Sequence, residues 1–84
     1  MAMSIQTQHI PAGDTTGKMI RATLDVSMGK VDSIELPWDY SLGVEDNHEE
    51  AAQALMYRAG IYDFTLLGMV EWDGDNYYSY SNNQ

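Results

Sequence analysis

A single helical segment with strand-like stretches on both sides is the feature that most restricts the fold of this sequence. Apolar residues recur there at helical spacing and form one stripe, which consists of Ala51, Ala52, Leu55, Met56 and Ala59. The pattern predicts a helix over about residues 47–59. Gly60 follows as a natural stop, because a glycine can adopt the left-handed conformation that commonly ends a helix.

Polar residues just before the stripe indicate where this helix begins. Asn47 is a favourable N-cap, and Glu50 three residues later can close a capping box. Asp46 with Glu49 offers the same box one residue earlier. The sequence therefore allows either residue as the cap, and it places acidic side chains in the first turn, where the helix dipole favours them.

Before the helix, the sequence predicts a hairpin. Alternate residues over the range 20–26 are apolar, which is typical of a strand with one buried face. A reversal at residues 28–30 contains Gly29, and glycine can take the positive φ that tight hairpins require. The return strand covers residues 33–36 and ends at Pro37, because proline cannot donate a hydrogen bond to a ladder.

After the helix, a second hairpin is predicted. Residues 64–72 are rich in apolar residues, and residues 76–80 contain three of the tyrosines that suit a pleated surface. Asp73 and Gly74, between the two stretches, form the two-residue signal of a tight hairpin turn.

The whole chain, residues 1–84, is predicted to be one domain of the α+β class. Its elements follow one another in the order β-β-α-β-β. The strands form a small antiparallel sheet, and the helix packs on one face of it. Residues 1–17 are polar and turn-rich, so we expect them to be loosely ordered or to add an extra N-terminal strand at the edge, over residues 4–10. Residues 82–84 form a polar tail.

Composition excludes several classes of function. The chain has no Cys, which excludes a disulfide framework, a thiol nucleophile and a zinc ribbon. With 4 Lys+Arg against 13 Asp+Glu its net charge is −9, so direct binding to nucleic acid or to an anionic membrane is unfavourable. No stretch approaches the roughly 20 apolar residues of a membrane span, and the N-terminus has no secretory pattern, so we expect a cytoplasmic protein.

Motifs for catalysis or metal binding are sparse. His48, beside Asp46 and Glu49, could act as a general base, but a lone His at a helix start is more often an exposed surface residue. Residues 73–76 match only a fragment of a calcium loop, and a hairpin turn accounts for the same residues. The sequence therefore predicts no catalytic residue, no metal site and no cofactor, and it predicts that His48 is dispensable for activity.

The acidic residues are distributed unevenly. Residues 35–50 carry six carboxylates and residues 59–84 carry four, and neither range contains Lys, whereas the four cations lie between Lys18 and Arg58. A solvated acidic surface and an anionic face that docks on a basic groove both explain this pattern. On the second interpretation the predicted partner-binding residues are Asp39, Tyr40, Glu45, Asp46, Glu49, Glu50, Asp73, Asp75 and Tyr77.

The segment from Asp46 to Leu55 carries a family resemblance. Its pattern Asn-His-x-x-Ala-Ala-x-x-Leu, followed by Gly60 and the strand over residues 64–72, resembles small acidic proteins encoded by phages and prophages, of which anti-CRISPR inhibitors are the best-known kind. The resemblance implies a non-enzymatic inhibitor of a host or defence complex, and it transfers no catalytic residue.

Taken together, these features predict a non-enzymatic acidic binding protein of the phage or mobile-element type. It would occupy a basic nucleic-acid-binding surface of a host protein complex in the host cytoplasm, without binding nucleic acid or a membrane itself, and a homodimer is left open. One alternative is a self-associating structural or accessory phage protein. A second alternative is a small metal-dependent or enzymatic module centred on His48.

Overall fold

The described part of the chain forms five antiparallel strands and one helix, which confirms the predicted α+β class. The computed structural model describes residues 2–14, 17–26 and 30–83. The elements in chain order are β1 (Ala2–Ile10), β2 (Met19–Val26), β3 (Lys30–Pro37), α1 (Val44–Arg58), β4 (Phe64–Trp72) and β5 (Asp75–Asn82). The strands lie in the order β3-β2-β1-β5-β4, and each neighbouring pair is antiparallel.

Both predicted hairpins are present. β2 and β3 pair as far as Val26 and Lys30, while residues 27–29, which include most of the predicted reversal, lie outside the described residues. β4 and β5 are joined through Asp73 and Gly74, whose φ angles are 53° and 83°. Positive φ at both positions gives the turn a twist that matches the twist of the strands.

β1 lies in the centre of the sheet, so the prediction of an edge strand is wrong. Ile5 pairs with Leu24 of β2 on one side and with Tyr78 of β5 on the other. A clear alternation of apolar and polar residues in β1 would have indicated a strand with a buried face. The alternation is weak because one of the inward residues is the polar Thr7, which is fully buried. β5 also runs to Asn82, which the sequence had placed in the polar tail.

α1 begins earlier than predicted and ends where predicted. Gly43, rather than Asn47 or Asp46, is the N-cap, and no side chain caps the helix. At the other end, Gly60 has a φ of 83°. The Gly60 N–H donates to the Tyr57 carbonyl at 3.0 Å and the Ile61 N–H to the Met56 carbonyl at 2.9 Å, which together satisfy the carbonyls of the last turn.

The core lies between α1 and one half of the sheet. α1 packs against β1, β2 and β3, and Leu55 is fully buried there, as the predicted apolar stripe requires. The buried apolar residues of the core are Ile5, Ile20, Ala22, Leu24, Ala51, Ala52, Leu55, Met56, Tyr78 and Tyr80. Beyond Phe64, every residue of β4 is exposed. Among the described residues, no helix is long and apolar enough to cross a membrane.

Candidate functional site

The two acidic groups predicted from the sequence lie at the same end of the sheet. The Thr7 Oγ1 atom on β1 is 2.6 Å from the Nδ1 atom of His48 and 3.5 Å from the Asn76 carbonyl oxygen. His48 belongs to the N-terminal half of α1, and Asn76 comes directly after the β4–β5 turn. The helix start and the hairpin tip therefore flank Thr7 on either side.

We call this region the acidic end. Its members are Asp39, Tyr40, Glu45, Asp46, Glu49, Glu50, Glu71, Asp73 and Asp75. Glu49 and Asp75 are half-buried, and the other members are exposed. Sequence reasoning did not include Glu71, which becomes part of the group because it pairs with Asn76 across the hairpin. Tyr77 is half-buried and pairs with Gln6 and Val70.

The carboxylates of the acidic end are not neutralised by ion pairs. Among the side chains that the structure describes, one ion pair is present. It joins Arg21 to Glu35 at 2.6 Å and includes no member of the acidic end. Burial raises the pKa of the Tyr78 phenol, and the charges of Glu49 and Glu45 raise it further, against a hydrogen bond from Asn76. Glu45 and Glu49 are thus close enough to Tyr78 of β5 to act on its phenol electrostatically.

Asp39 fixes a tight turn at the margin of the acidic end. Its carboxylate accepts a hydrogen bond from the Ser41 hydroxyl at 2.6 Å and another from the Ser41 backbone N–H at 2.9 Å. These bonds lower the pKa of Asp39, so the carboxylate stays charged. The turn presents Tyr40 to solvent with 78% of its side chain exposed.

Asn47 holds this turn against the helix instead of capping the helix. Its side chain is buried, and its Oδ1 atom accepts from the Asp39 N–H at 2.8 Å. Its Nδ2 group donates to the carbonyls of Asp39 at 2.9 Å and Gly43 at 3.0 Å. Because one side chain satisfies several backbone groups, the 39–43 turn is fixed relative to α1.

His48 is buried, so its interpretation as an exposed surface residue is wrong. His48 lies three residues before Ala51 and seven before Leu55, so it shares the helix face that meets the sheet, and only 3% of it is exposed. Burial lowers the pKa of His48, and the charge of His9 lowers it further, whereas Asp75 and Glu71 act in the opposite direction. His48 is therefore neutral at pH 7.

Trp38 packs beside His48 and covers the base of the acidic end. Its ring meets the His9 ring edge-on at 5.2 Å and the His48 ring edge-on at 6.3 Å. The Lys18 ammonium lies 4.3 Å from the centre of the Trp38 ring, a cation–π contact. The partner of Lys18 in that contact is thus an aromatic ring rather than a carboxylate.

The geometry of the acidic end is unsuited to catalysis at Thr7. The Thr7 hydroxyl and His48 have the composition of a nucleophile and a base, but Thr7 is fully buried, so no substrate can reach it. A cavity of about 260 Å³ lies between the end of β3 and α1, beside Asp39 and Glu50, which is below the usual size for small-molecule pockets. Within the described residues, no group of three His, Asp or Glu side chains is placed to hold a metal ion.

A second surface, which the sequence-based site prediction missed, lies along β4. Five large apolar side chains of this strand are 42–71% exposed: Leu66, Leu67, Met69, Val70 and Trp72. We call these residues the β4 surface. The signal that could have indicated it is the absence of charge and of proline from residue 64 to residue 70, which is unusual for an edge strand.

Comparison of the chain with protein-family models, with curated proteins and with solved structures finds no match.

Proposed function

We propose that this protein is a non-enzymatic inhibitor of the phage or mobile-element type, and that its acidic end docks on the basic nucleic-acid-binding surface of a partner protein complex. An anti-CRISPR inhibitor is the specific form of the proposal. The observation that carries it is the convergence of the helix start and the hairpin tip on the two sides of Thr7. Two separate sequence segments, each rich in carboxylates, thereby lie at the same end of the sheet, which supports the proposal.

The acidic end has the properties of a preorganised docking surface. Asn47 fixes the turn that holds Asp39 and Tyr40, so little conformational entropy is lost when a partner binds. Carboxylates without cationic partners attract a basic groove and accelerate association with it. The exposed Tyr40 adds an amphipathic side chain of the kind that is enriched in interface hot spots.

The enzymatic alternative is less well supported. It depends on His48, and that imidazole is enclosed by Thr7 and Trp38 rather than open to a substrate. The metal-dependent alternative lacks a described ligand group.

An interference assay tests the specific proposal. Expression of the protein in a bacterium whose CRISPR system targets a phage should restore plaque formation, and the purified protein should prevent target DNA from binding the effector complex. Failure of both effects would exclude the anti-CRISPR form of the proposal.

Matched charge variants test the docking surface. Glu45→Gln with Asp46→Asn removes two charges from the acidic end, and Asp32→Asn with Glu35→Gln removes two from β3. We expect the first pair to slow association with the effector complex and to flatten its salt dependence, because screening acts on the charges that steer docking. The β3 pair should behave like the wild type. Equal behaviour of the two variants would show that the acidic end is not the docking surface.

A further inference from the structure

β4 is an edge strand that presents apolar side chains on both faces of the sheet. Leu66 pairs with Tyr80 and Met69 with Tyr78, and these tyrosines face α1 in the core. Val70 pairs with Tyr77, which points to the opposite face because successive strand residues alternate. The outer backbone groups of β4 face away from β5, so the strand offers hydrogen-bonding groups and apolar side chains together.

Gly68 lies in the middle of β4, where neither its φ nor a close contact with the described residues requires a glycine. A Cβ atom at this position would meet nothing within 4 Å, and its φ lies outside the left-handed region. A β-bulge lies beside it, between Leu66 and Gly68, but only a bulge with positive φ requires glycine. Glycine inside a strand weakens it, and it often marks a β-bulge or a place where another backbone approaches closely. Gly68 is therefore compatible with the close approach of a second copy.

The composition of β4 suits a second copy of itself. Leu66 and Leu67 precede Gly68, and Met69 and Val70 follow it, so the strand is apolar on both sides of its centre. If a second copy pairs antiparallel with β4 so that the two Gly68 residues are near each other, the apolar side chains of the two strands are in contact. This holds even if the register shifts by a residue or two. Such pairing around a two-fold axis is isologous, since both copies use the same patch.

The charges of the molecule are compatible with this arrangement although each copy carries −9. In an antiparallel pair, the acidic ends of the two copies lie at opposite ends of β4. Nine strand residues span about 30 Å, which exceeds the Debye length of about 10 Å at 0.1 M salt. The like charges of the two acidic ends are thus well separated, and both ends remain open to a partner.

We propose that two copies of this chain pair antiparallel along β4, near Gly68, and form one continuous sheet in a symmetric dimer. The assembly stops at two copies because β3, the opposite edge of the described sheet, carries charged residues and a proline. Asp32, Glu35 and Pro37 lie on that strand, and such residues oppose edge-to-edge pairing.

Measurement of the solution mass over a wide range of protein concentration tests the proposal. We expect the wild type to reach twice 9.4 kDa and to remain dimeric at high salt, because the contact is apolar and hydrogen-bonded. Leu67→Asp should shift the protein to 9.4 kDa, since it sets two like charges near the axis. Ser33→Asp adds the same charge to β3 and should leave the dimer intact. Circular dichroism of both variants checks that they are folded.

A cross-linking measurement gives an independent answer. The chain has no Cys, so Leu67→Cys introduces a single thiol, and mild oxidation should link two copies through it. Ser33→Cys is the matched control and should not link under the same conditions. The proposal would be overturned if the wild type stays monomeric at every concentration or forms assemblies larger than a dimer. A Leu67→Asp variant that is still a dimer would also overturn it. Docking through the acidic end weakens with salt and this dimer does not, so the two proposals fail separately.

Discussion

The two edge strands of the sheet are similar in length but differ in composition and in whether the helix covers them. β3 has 8 residues, is packed against α1, and carries charged side chains and a proline. β4 has 9 residues, lies beyond the helix, and is uncharged from residue 64 to residue 70. Proteins block the pairing of open edges with charges, prolines or covering elements. β3 has all three of these features, and β4 has an acidic residue only near its end.

The difference arises from the way the chain enters the helix. α1 follows β3 directly, and the turn between them is fixed by Asn47. The helix consequently lies over β3 and its neighbours β2 and β1. A single helix of 15 residues is about 22 Å long and cannot also cover the far edge of a five-stranded sheet. β4 is therefore left without a covering layer inside one chain.

The largest expected effect is a difference in stability between two Asp variants. One places the charge in the half of the molecule that α1 covers, and the other places it on the uncovered strand β4. Leu55→Asp buries a carboxylate in the core and should destabilise the fold by about 3–5 kcal/mol, enough to unfold a small domain. Val70→Asp, at a side chain that is 63% exposed, should change stability by less than about 0.5 kcal/mol at low protein concentration. Urea unfolding of both variants measures the contrast, and a strong loss in the second would mean that β4 belongs to the core.

Periodicity in the sequence predicted most of this architecture. The bounds of β4, the Asp73-Gly74 turn and the Gly60 stop are local signals, and the structure confirms them. The sheet order could not be predicted, because the position of β1 depends on pairing with β5, which is about 70 residues away in sequence. The same long-range packing places Thr7 against His48. Asn47 is not the cap, because the helix begins earlier and its side chain bonds instead to the turn that precedes the helix.

For the acidic end, the sequence supplied the residue types but not their arrangement. Asp39 to Glu50 and Asp73 to Asp75 are separated along the chain, and only the contacts of Thr7 show that they share one end of the sheet. The β4 surface was missed for a different reason. A strand that is apolar at consecutive positions is predicted to be buried on both faces. Only the position of the helix shows that β4 is exposed to solvent.

A smaller effect is expected where the helix is joined to β1. His48→Gln should cost about 1–3 kcal/mol at neutral pH, because it disturbs the buried hydrogen bond with Thr7. The effect should also depend on pH. Burial lowers the pKa of His48 in the folded state, so as the pH falls through about 6.5 the unfolded chain binds a proton that the folded chain does not.

The wild type should therefore lose stability, relative to His48→Gln, as the pH falls from 7 towards 5. Urea unfolding of both proteins over this range measures the difference. A constant difference between wild type and His48→Gln across the range would show that His48 is not held neutral by the fold.

The smallest effect, and the most specific one, comes from two glycines that both have open space around them. Gly60→Ala should destabilise the protein by about 1 kcal/mol, because its φ of 83° strains any residue with a Cβ atom. Gly68 has no such φ, so Gly68→Ala should stabilise a single chain by about 0.4–1 kcal/mol by restricting the unfolded state.

If Gly68 lies where two β4 strands approach each other, the same methyl group should weaken the dimer. Gly68→Ala should then raise the unfolding free energy at low concentration and lower the dimer fraction at high concentration. A variant that gains in both measurements would show that Gly68 is not a point of close approach, and the contact between copies would have to lie elsewhere on β4.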